Sequence, residues 1–80
     1  MANLRWEEGR LEYGPTAFFG YKETDAADDP SFLLNLWDWE SVGDDYKTQD
    51  TDLCVLTHNG HGTILKKASF AECKQFAETL

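Results

Sequence analysis

Long apolar runs and export signals are absent from this sequence. No stretch approaches the ~18–20 consecutive apolar residues that a membrane-spanning helix requires. Near the N-terminus, Arg5, Glu7 and Glu8 interrupt any apolar segment of the kind found in secretory signal peptides. We therefore expect a cytoplasmic protein that does not associate with membranes.

Recognisable catalytic and metal-binding motifs are also missing. The chain contains no GxSxG, P-loop, HExxH or CxxC pattern. A chain of 80 residues leaves little room for a pocket that encloses a substrate. These absences favour a binding protein over an enzyme, and neither a cofactor nor a metal is expected.

Cysteine is scarce, with Cys54 and Cys73 as the two examples. In a cytoplasmic protein the expected state is two reduced, buried thiols that act as small apolar side chains. An intramolecular disulfide is the first alternative, because the two residues fall on elements that should pack together. An intermolecular disulfide formed in oxidising buffer is the second.

Two weaker patterns concern metal ions. His58 and His61 flank a predicted hairpin turn and should project from the same face, close enough to share a metal. A structural Zn²⁺ site needs four ligands, so two histidines at an exposed hairpin tip are the preferred interpretation. The aspartates within 44–52 offer oxygen ligands, but they lack the glycine and the terminal glutamate of an EF-hand loop.

Aromatic residues are plentiful and indicate a folded core. They make up 14% of the chain, whereas a disordered acidic segment would be poor in them. A chain of this length buries roughly 60–65% of its unfolded surface, which is enough for one modest core. The sequence therefore predicts one folded domain over residues 1–80 with a charged exterior.

The first half of the chain predicts short β-strands. Apolar and polar residues alternate over residues 4–7 and again at Leu11 and Tyr13, and residues 16–22 are rich in β-forming residues. Residues 1–22 are therefore predicted to form two or three short antiparallel strands. The segment 30–39 has both strand and helix spacing. A strand buried on both faces is favoured there, and a helix capped by Asp29 and begun at Pro30 is the alternative.

The C-terminal third predicts a hairpin. Strands are expected at 53–57 and 62–66, joined by a two-residue type I′ turn at Asn59-Gly60. That turn would place Leu56 opposite Thr63. Because both faces of this ribbon are partly apolar, we expect it to lie inside the sheet and not at its edge.

A helix should follow the hairpin. Ser69 is an N-cap candidate, and Glu72 completes the Ser-x-x-Glu capping box. The residues at helical spacing behind it form one apolar stripe: Phe70, Cys73, Phe76, Ala77 and Leu80. The predicted fold class is therefore α+β, with an antiparallel sheet of four to six strands and a C-terminal amphipathic helix packed on one face.

Charge is the most uneven property of the sequence. Ten of the 15 acidic residues lie between Glu23 and Asp52, where Lys47 is the one basic residue. Charge confined in this way builds a field that attracts a basic partner. Closely spaced carboxylates can imitate a nucleic-acid backbone and bind a groove lined with lysine and arginine. A solvated surface that keeps the protein soluble is the alternative.

The loop aspartates are the residues predicted to contact such a partner. They are Asp25, Asp28, Asp29, Asp44, Asp45, Asp50 and Asp52, with Glu40 and Tyr46 as second choices. Trp37 and Trp39 lie in the same region, and tryptophan often anchors interfaces. Core packing is nevertheless the preferred interpretation of both. The two acidic loops that flank the segment 30–39 could meet at one edge or lie at opposite ends.

In its size, its acidic middle and its lack of catalytic motifs, the chain resembles the small phage-encoded inhibitors of bacterial defence, above all the anti-CRISPR proteins. It looks most like an inhibitor of a type I CRISPR–Cas system, with type I-C as the candidate subtype. The resemblance covers the general character of the whole chain. Anti-CRISPR proteins share no motif, so it assigns no role to any single residue.

The resemblance implies a non-catalytic inhibitor that acts inside the infected bacterial cell. Its expected partner is a basic nucleic-acid-binding subunit of a host CRISPR–Cas surveillance complex, whose recruitment of target DNA it would block. The chain itself would bind neither nucleic acid nor membrane, and would be a monomer or a weak homodimer. The alternative is a phage accessory or assembly protein that uses a sheet edge or an aromatic patch as an interaction module.

Overall fold

Five strands follow one another across the sheet in chain order. The computed structural model describes residues 4–10, 15–59 and 62–80. The antiparallel strands are β1 (Arg5–Arg10), β2 (Thr16–Tyr21), β3 (Phe32–Leu36), β4 (Leu53–His58) and β5 (Ile64–Ser69). A single α-helix in these segments, α1 (Phe70–Glu78), follows β5 directly and packs on β3, β4 and β5. The predicted α+β fold is confirmed.

The central strand β3 resolves the ambiguity of the segment 30–39 in favour of a strand. Its alternate residues Phe32, Leu34 and Leu36 are buried beneath α1, which is the pattern of a strand with one covered face. Leu33 and Asn35 point to the other face and are only half-buried. The prediction of burial on both faces was therefore wrong, because α1 covers one side of the sheet alone.

The strand also ends earlier than its aromatic residues suggest. Trp37 lies just beyond β3 and is 49% exposed, so the preferred interpretation of it as a core residue was wrong. A short 3-10 helix follows at Trp39–Ser41, where Trp39 is half-buried and packs against the core. Trp37 is thus exposed, whereas Trp39, two residues later, is packed against the core.

The register of the last hairpin differs from the predicted one. Leu56 pairs with Lys66 rather than with Thr63, and the pairing shifts between Leu56 and Thr57. This register places the small Ala68 opposite Cys54, where α1 can cross closely above both strands. A local turn motif carries no information about that packing. Gly60 and His61, which belong to the predicted turn region, lie outside the described residues.

The hairpin also does not lie wholly inside the sheet. β4 is an inner strand between β3 and β5, whereas β5 forms an edge of the sheet. The return strand runs from Ile64 to Ser69, not from 62 to 66, so it passes straight into α1. Its exposed Lys67 is the kind of charged side chain that blunts an open strand edge.

The predicted N-cap of α1 is confirmed. Ser69 is the N-cap, and its Oγ accepts a hydrogen bond of 3.3 Å from the backbone N–H of Glu72. Phe70, Cys73 and Ala77 are buried against the sheet. Leu80, expected on the same stripe, lies beyond the helix and is exposed.

Both cysteines are free and buried in the layer between α1 and the sheet. The Sγ atom of Cys73 lies 3.7 Å from the backbone oxygen of Cys54. Burial raises the pKa of the Cys54 thiol to about 12, so this thiol is protonated at neutral pH. The two residues act as small core side chains, which is the predicted state.

Candidate functional site

The acidic residues are divided between two loops at opposite ends of the sheet. In a sheet of antiparallel neighbours joined in chain order, successive connections alternate between its two ends. The first acidic loop (residues 22–31) joins β2 to β3, and the second acidic loop (residues 37–52) joins β3 to β4. The five residues of β3 separate them by roughly 17 Å. The predicted contact residues therefore do not form one continuous surface.

Asp25 organises the first acidic loop. Its Oδ2 accepts hydrogen bonds from the backbone N–H of Lys22 at 2.8 Å, from the Ser31 hydroxyl at 2.7 Å and from the Ser31 N–H at 3.1 Å. The Lys22 N–H and the Ser31 hydroxyl lower the pKa of this carboxyl below its ordinary value. Asp25 therefore closes its own loop, while Asp28 and Asp29 project into solvent.

Asp52 has the corresponding role in the second acidic loop. Its Oδ2 accepts hydrogen bonds from the Tyr46 hydroxyl at 2.6 Å and from the Gln49 N–H at 2.8 Å. The Tyr46 hydroxyl, and then the Gln49 N–H, lower the pKa of the Asp52 carboxyl. The same hydrogen bond raises the pKa of Tyr46, because it stabilises the protonated phenol.

The second acidic loop is also attached to the core and to α1. Trp39, Val42 and Tyr46 are half-buried and pack against the core. The N–H of Phe70 donates to the backbone oxygen of Asp52 at 2.9 Å, and the N–H of Ala71 donates to that of Asp50 at 3.2 Å. These bonds satisfy donors that the first turn of a helix leaves unpaired. The loop is held at several points along its length.

Five further carboxylates of the second acidic loop are exposed: Asp38, Glu40, Asp44, Asp45 and Asp50. None of them forms an ion pair within the described parts of the chain. The guanidinium of Arg10 donates to the backbone oxygen of Asp44 at 3.3 Å, which leaves that carboxylate available. Lys47 is the one lysine of the loop and is also exposed.

The predicted contact residues thus separate into two kinds. Asp25, Asp52 and Tyr46 hold loop structure, whereas the others are exposed: Asp28, Asp29, Glu40, Asp44, Asp45 and Asp50. Asp38 is an exposed member that the sequence reasoning did not select. The sequence predicted a strand over 30–39 that includes Asp38, so its exposure depends on where β3 ends.

Of the two weaker metal patterns, the described residues include the aspartates of 44–52 and His58. Across residues 4–10, 15–59 and 62–80, no three His, Cys, Asp or Glu side chains are grouped so that they could hold a metal ion. His58 is exposed and its ring stacks on that of Phe32, with centroids 5.6 Å apart. His61 lies outside the described residues. Over the same ranges, no helix is long and apolar enough to cross a bilayer.

Comparison with protein-family models, with curated proteins and with solved structures finds no match for this chain. We therefore infer function from the geometry and the charge of the two loops. The second acidic loop is the stronger candidate, because it combines more exposed carboxylates with more attachments to the core. Charged groups on a fixed loop lose less conformational freedom when a partner binds.

Proposed function

We propose that this protein is a non-catalytic inhibitor of a bacterial CRISPR–Cas surveillance complex. It binds a basic, DNA-contacting surface of one subunit through the second acidic loop and blocks recruitment of target DNA. The resemblance of the whole chain to anti-CRISPR proteins supports the choice of target. The position of the carboxylates supports the choice of docking surface.

The observation that carries the proposal is the excess of exposed carboxylates on the second acidic loop, which is attached to the core and to α1. Double-stranded DNA presents one negative charge per ~1.7 Å of helix axis, and proteins that bind it arrange lysine and arginine to match. Five carboxylates at one end of the sheet, which form no ion pair with any described residue, offer such a groove an alternative anion. Their combined field also accelerates encounter with a basic partner.

The residues of the loop have two roles in this proposal. Asp44, Asp45 and Asp50, with Glu40 beside them, supply the contacting charge. Asp52 and Tyr46 position that charge, because their hydrogen bond of 2.6 Å closes the segment between them. The exposed carboxylates of the first acidic loop lie at the far end of the sheet and add to the long-range field alone.

A second candidate function is an interaction module that binds through apolar contacts. It is favoured by the face of the sheet that α1 does not cover, where Trp37, Leu53 and Ile64 are each about half exposed. Exposed apolar groups of this size occur at protein interfaces. A partner held in this way would bind with little dependence on salt.

Matched charge reversals test the proposed docking surface. We would measure binding to a purified type I-C surveillance complex by biolayer interferometry, comparing Asp44→Lys/Asp45→Lys with Asp28→Lys/Asp29→Lys. Both variants change the net charge equally, but they act at opposite ends of the sheet. The first should weaken binding by about tenfold or more, and the second by no more than about threefold.

Three results would count against the proposal. Equal losses in both variants would show that net charge matters and the loop does not. Unchanged affinity in both, with circular dichroism unaltered, would favour the apolar candidate. Failure of the wild-type chain to bind the complex would remove the proposed target.

A further inference from the structure

A cleft of about 400 Å³ opens beside the second acidic loop. Its lining comes from four parts of the fold: Glu8 on β1, Phe18 on β2, Phe70 at the start of α1, and Lys47 and Thr48 in the loop. Binding sites for small groups typically begin at roughly 300 Å³. The cleft is therefore large enough to accept a side chain from another molecule.

Two aromatic rings form one side of the cleft. The rings of Phe18 and Phe70 lie 4.7 Å apart between centroids and are inclined at 55°. The Nζ atom of Lys74 lies 5.2 Å from the Phe70 centroid, so this ring already attracts a cation within the chain. An aromatic wall of this kind accepts an apolar stem or a flat cationic group.

The polar part of the lining contains one carboxylate, that of Glu8. Glu8 is exposed, pairs with Phe18 in the β1–β2 register and forms no ion pair within the described residues. The Oγ1 atom of Thr48 is buried and has no hydrogen-bond partner there. Because this atom has almost no accessible surface, the charged acceptor that an entering donor can reach is the Glu8 carboxylate.

We propose that the cleft accepts one arginine side chain of the partner. The guanidinium is flat, stacks on aromatic rings and donates two parallel hydrogen bonds to a carboxylate. In the cleft its plane and stem would lie against the partly exposed Phe18 ring, with its N–H groups directed at the Glu8 carboxylate. This proposal rests on the proposed function, and it identifies the group on the partner that the cleft beside the second acidic loop recognises.

Other occupants fit the lining less well. A lysine ammonium has no flat face to place on the rings and makes no bidentate contact. An apolar side chain would make no hydrogen bond to the Glu8 carboxylate. An anion would meet Glu8, and the N–H groups of Phe70 and Ala71 that could attract it already donate to backbone oxygens of the second acidic loop.

The inference can be tested without the partner protein. N-acetyl-L-arginine amide would be titrated into isotopically labelled protein and followed by NMR, with the lysine and leucine analogues as comparison probes at equal ionic strength. Shift changes should concentrate at Phe18, Thr48 and Phe70. The arginine probe should bind at least about threefold more tightly than the lysine probe, because it alone stacks and pairs in two places.

Three single substitutions should have different effects on the affinity for the arginine probe. Glu8→Gln should weaken the arginine probe by roughly tenfold, because it removes the charge from the acceptor. Glu7→Gln is the matched control: Glu7 points to the opposite face of β1, pairs with Arg5 at 2.9 Å and should leave binding unchanged. Lys47→Gln should tighten binding, because it removes a like charge from the lining.

Each opposite result would overturn the inference. These results are a leucine probe that binds as well as arginine, shift changes spread over both acidic loops, or equal effects of Glu7→Gln and Glu8→Gln. Failure of the proposed function would look different. Arginine would then still bind in the cleft while the surveillance complex showed no affinity for the chain.

Discussion

Each of the two acidic loops is closed by hydrogen bonds to one of its aspartates, but the loops differ in their other residues. Asp25 accepts three hydrogen bonds that close the first loop, and Asp52 accepts two that close the second. Beyond these, the second acidic loop carries more exposed carboxylates and has half-buried aromatic residues that attach it to the core. An acidic cluster in a sequence therefore mixes carboxylates that build a loop with carboxylates that are free to bind.

The largest expected effect comes from removing the aromatic attachment of the second acidic loop. Trp39→Ala should lower the free energy of unfolding by about 2 kcal/mol, because a half-buried aromatic side chain loses its packing against the core. Trp37→Ala is the matched control, since Trp37 is 49% exposed and its ring contacts Lys67 Nζ at 3.7 Å. It should cost less than about 1 kcal/mol.

Urea unfolding monitored by circular dichroism would measure both values. Equal costs for the two tryptophans would mean that the attachment of Trp39 does not hold the loop. The same pair also separates the two candidate functions. Loss of partner affinity in Trp37→Ala, with the fold intact, would favour the apolar interaction module.

The next effect concerns the dependence of stability on acid. The pKa values of Asp25 and Asp52 are lowered in the folded protein, so their contribution is present above the unfolded value of 3.8 and is lost as pH falls through the folded values. Wild-type stability should therefore decrease from about pH 5 downwards. Asp25→Asn and Asp52→Asn should each flatten that decrease in urea titrations.

The two asparagine variants should differ in partner binding. Asp52→Asn weakens the closure of the loop that carries the proposed contacts, so it should reduce affinity for the surveillance complex. Asp25→Asn acts at the far end of the sheet and should have little effect. If Asp25→Asn proved the more damaging of the two, the first acidic loop would be the docking surface.

The smallest expected effect is a loss of stability at alkaline pH. The pKa of Tyr46 is raised by its hydrogen bond to Asp52, so the stability that this bond contributes is present below the ordinary value of 10.0 and is lost as pH rises through the folded value. Tyr46→Phe should remove from an ultraviolet titration one tyrosine ionisation that lies above the ordinary value of 10.0. Loss of an ionisation at the ordinary value instead would show that the bond does not persist in solution.

Local signals in the sequence predicted the elements but not how they pack. The Ser69 cap and the apolar stripe behind it lie within a few residues, so α1 was predictable. The register of β4 with β5 was not, because the pairing of Cys54 with Ala68 accommodates a helix that crosses above them. Exposure of Trp37 escaped prediction for a similar reason, since it depends on where β3 ends.

The position of the two acidic loops at opposite ends of the sheet follows from the strand prediction, although the sequence analysis left it open. Once Phe32–Leu36 is a single strand, the loops before and after it must leave from its two ends. The sequence could not predict the role of each aspartate within its loop. Which aspartate accepts hydrogen bonds and which projects depends on backbone donors such as the N–H groups of Lys22 and Gln49.

The most direct test of the proposed function is the salt dependence of binding to the surveillance complex. Affinity should fall steeply between 50 and 200 mM salt, roughly as observed for proteins that exchange many ionic contacts. The slope of log affinity against log salt should be smaller for Asp44→Lys/Asp45→Lys and unchanged for Asp28→Lys/Asp29→Lys. A flat dependence in the wild-type chain, or equal slopes in both variants, would contradict docking through the second acidic loop.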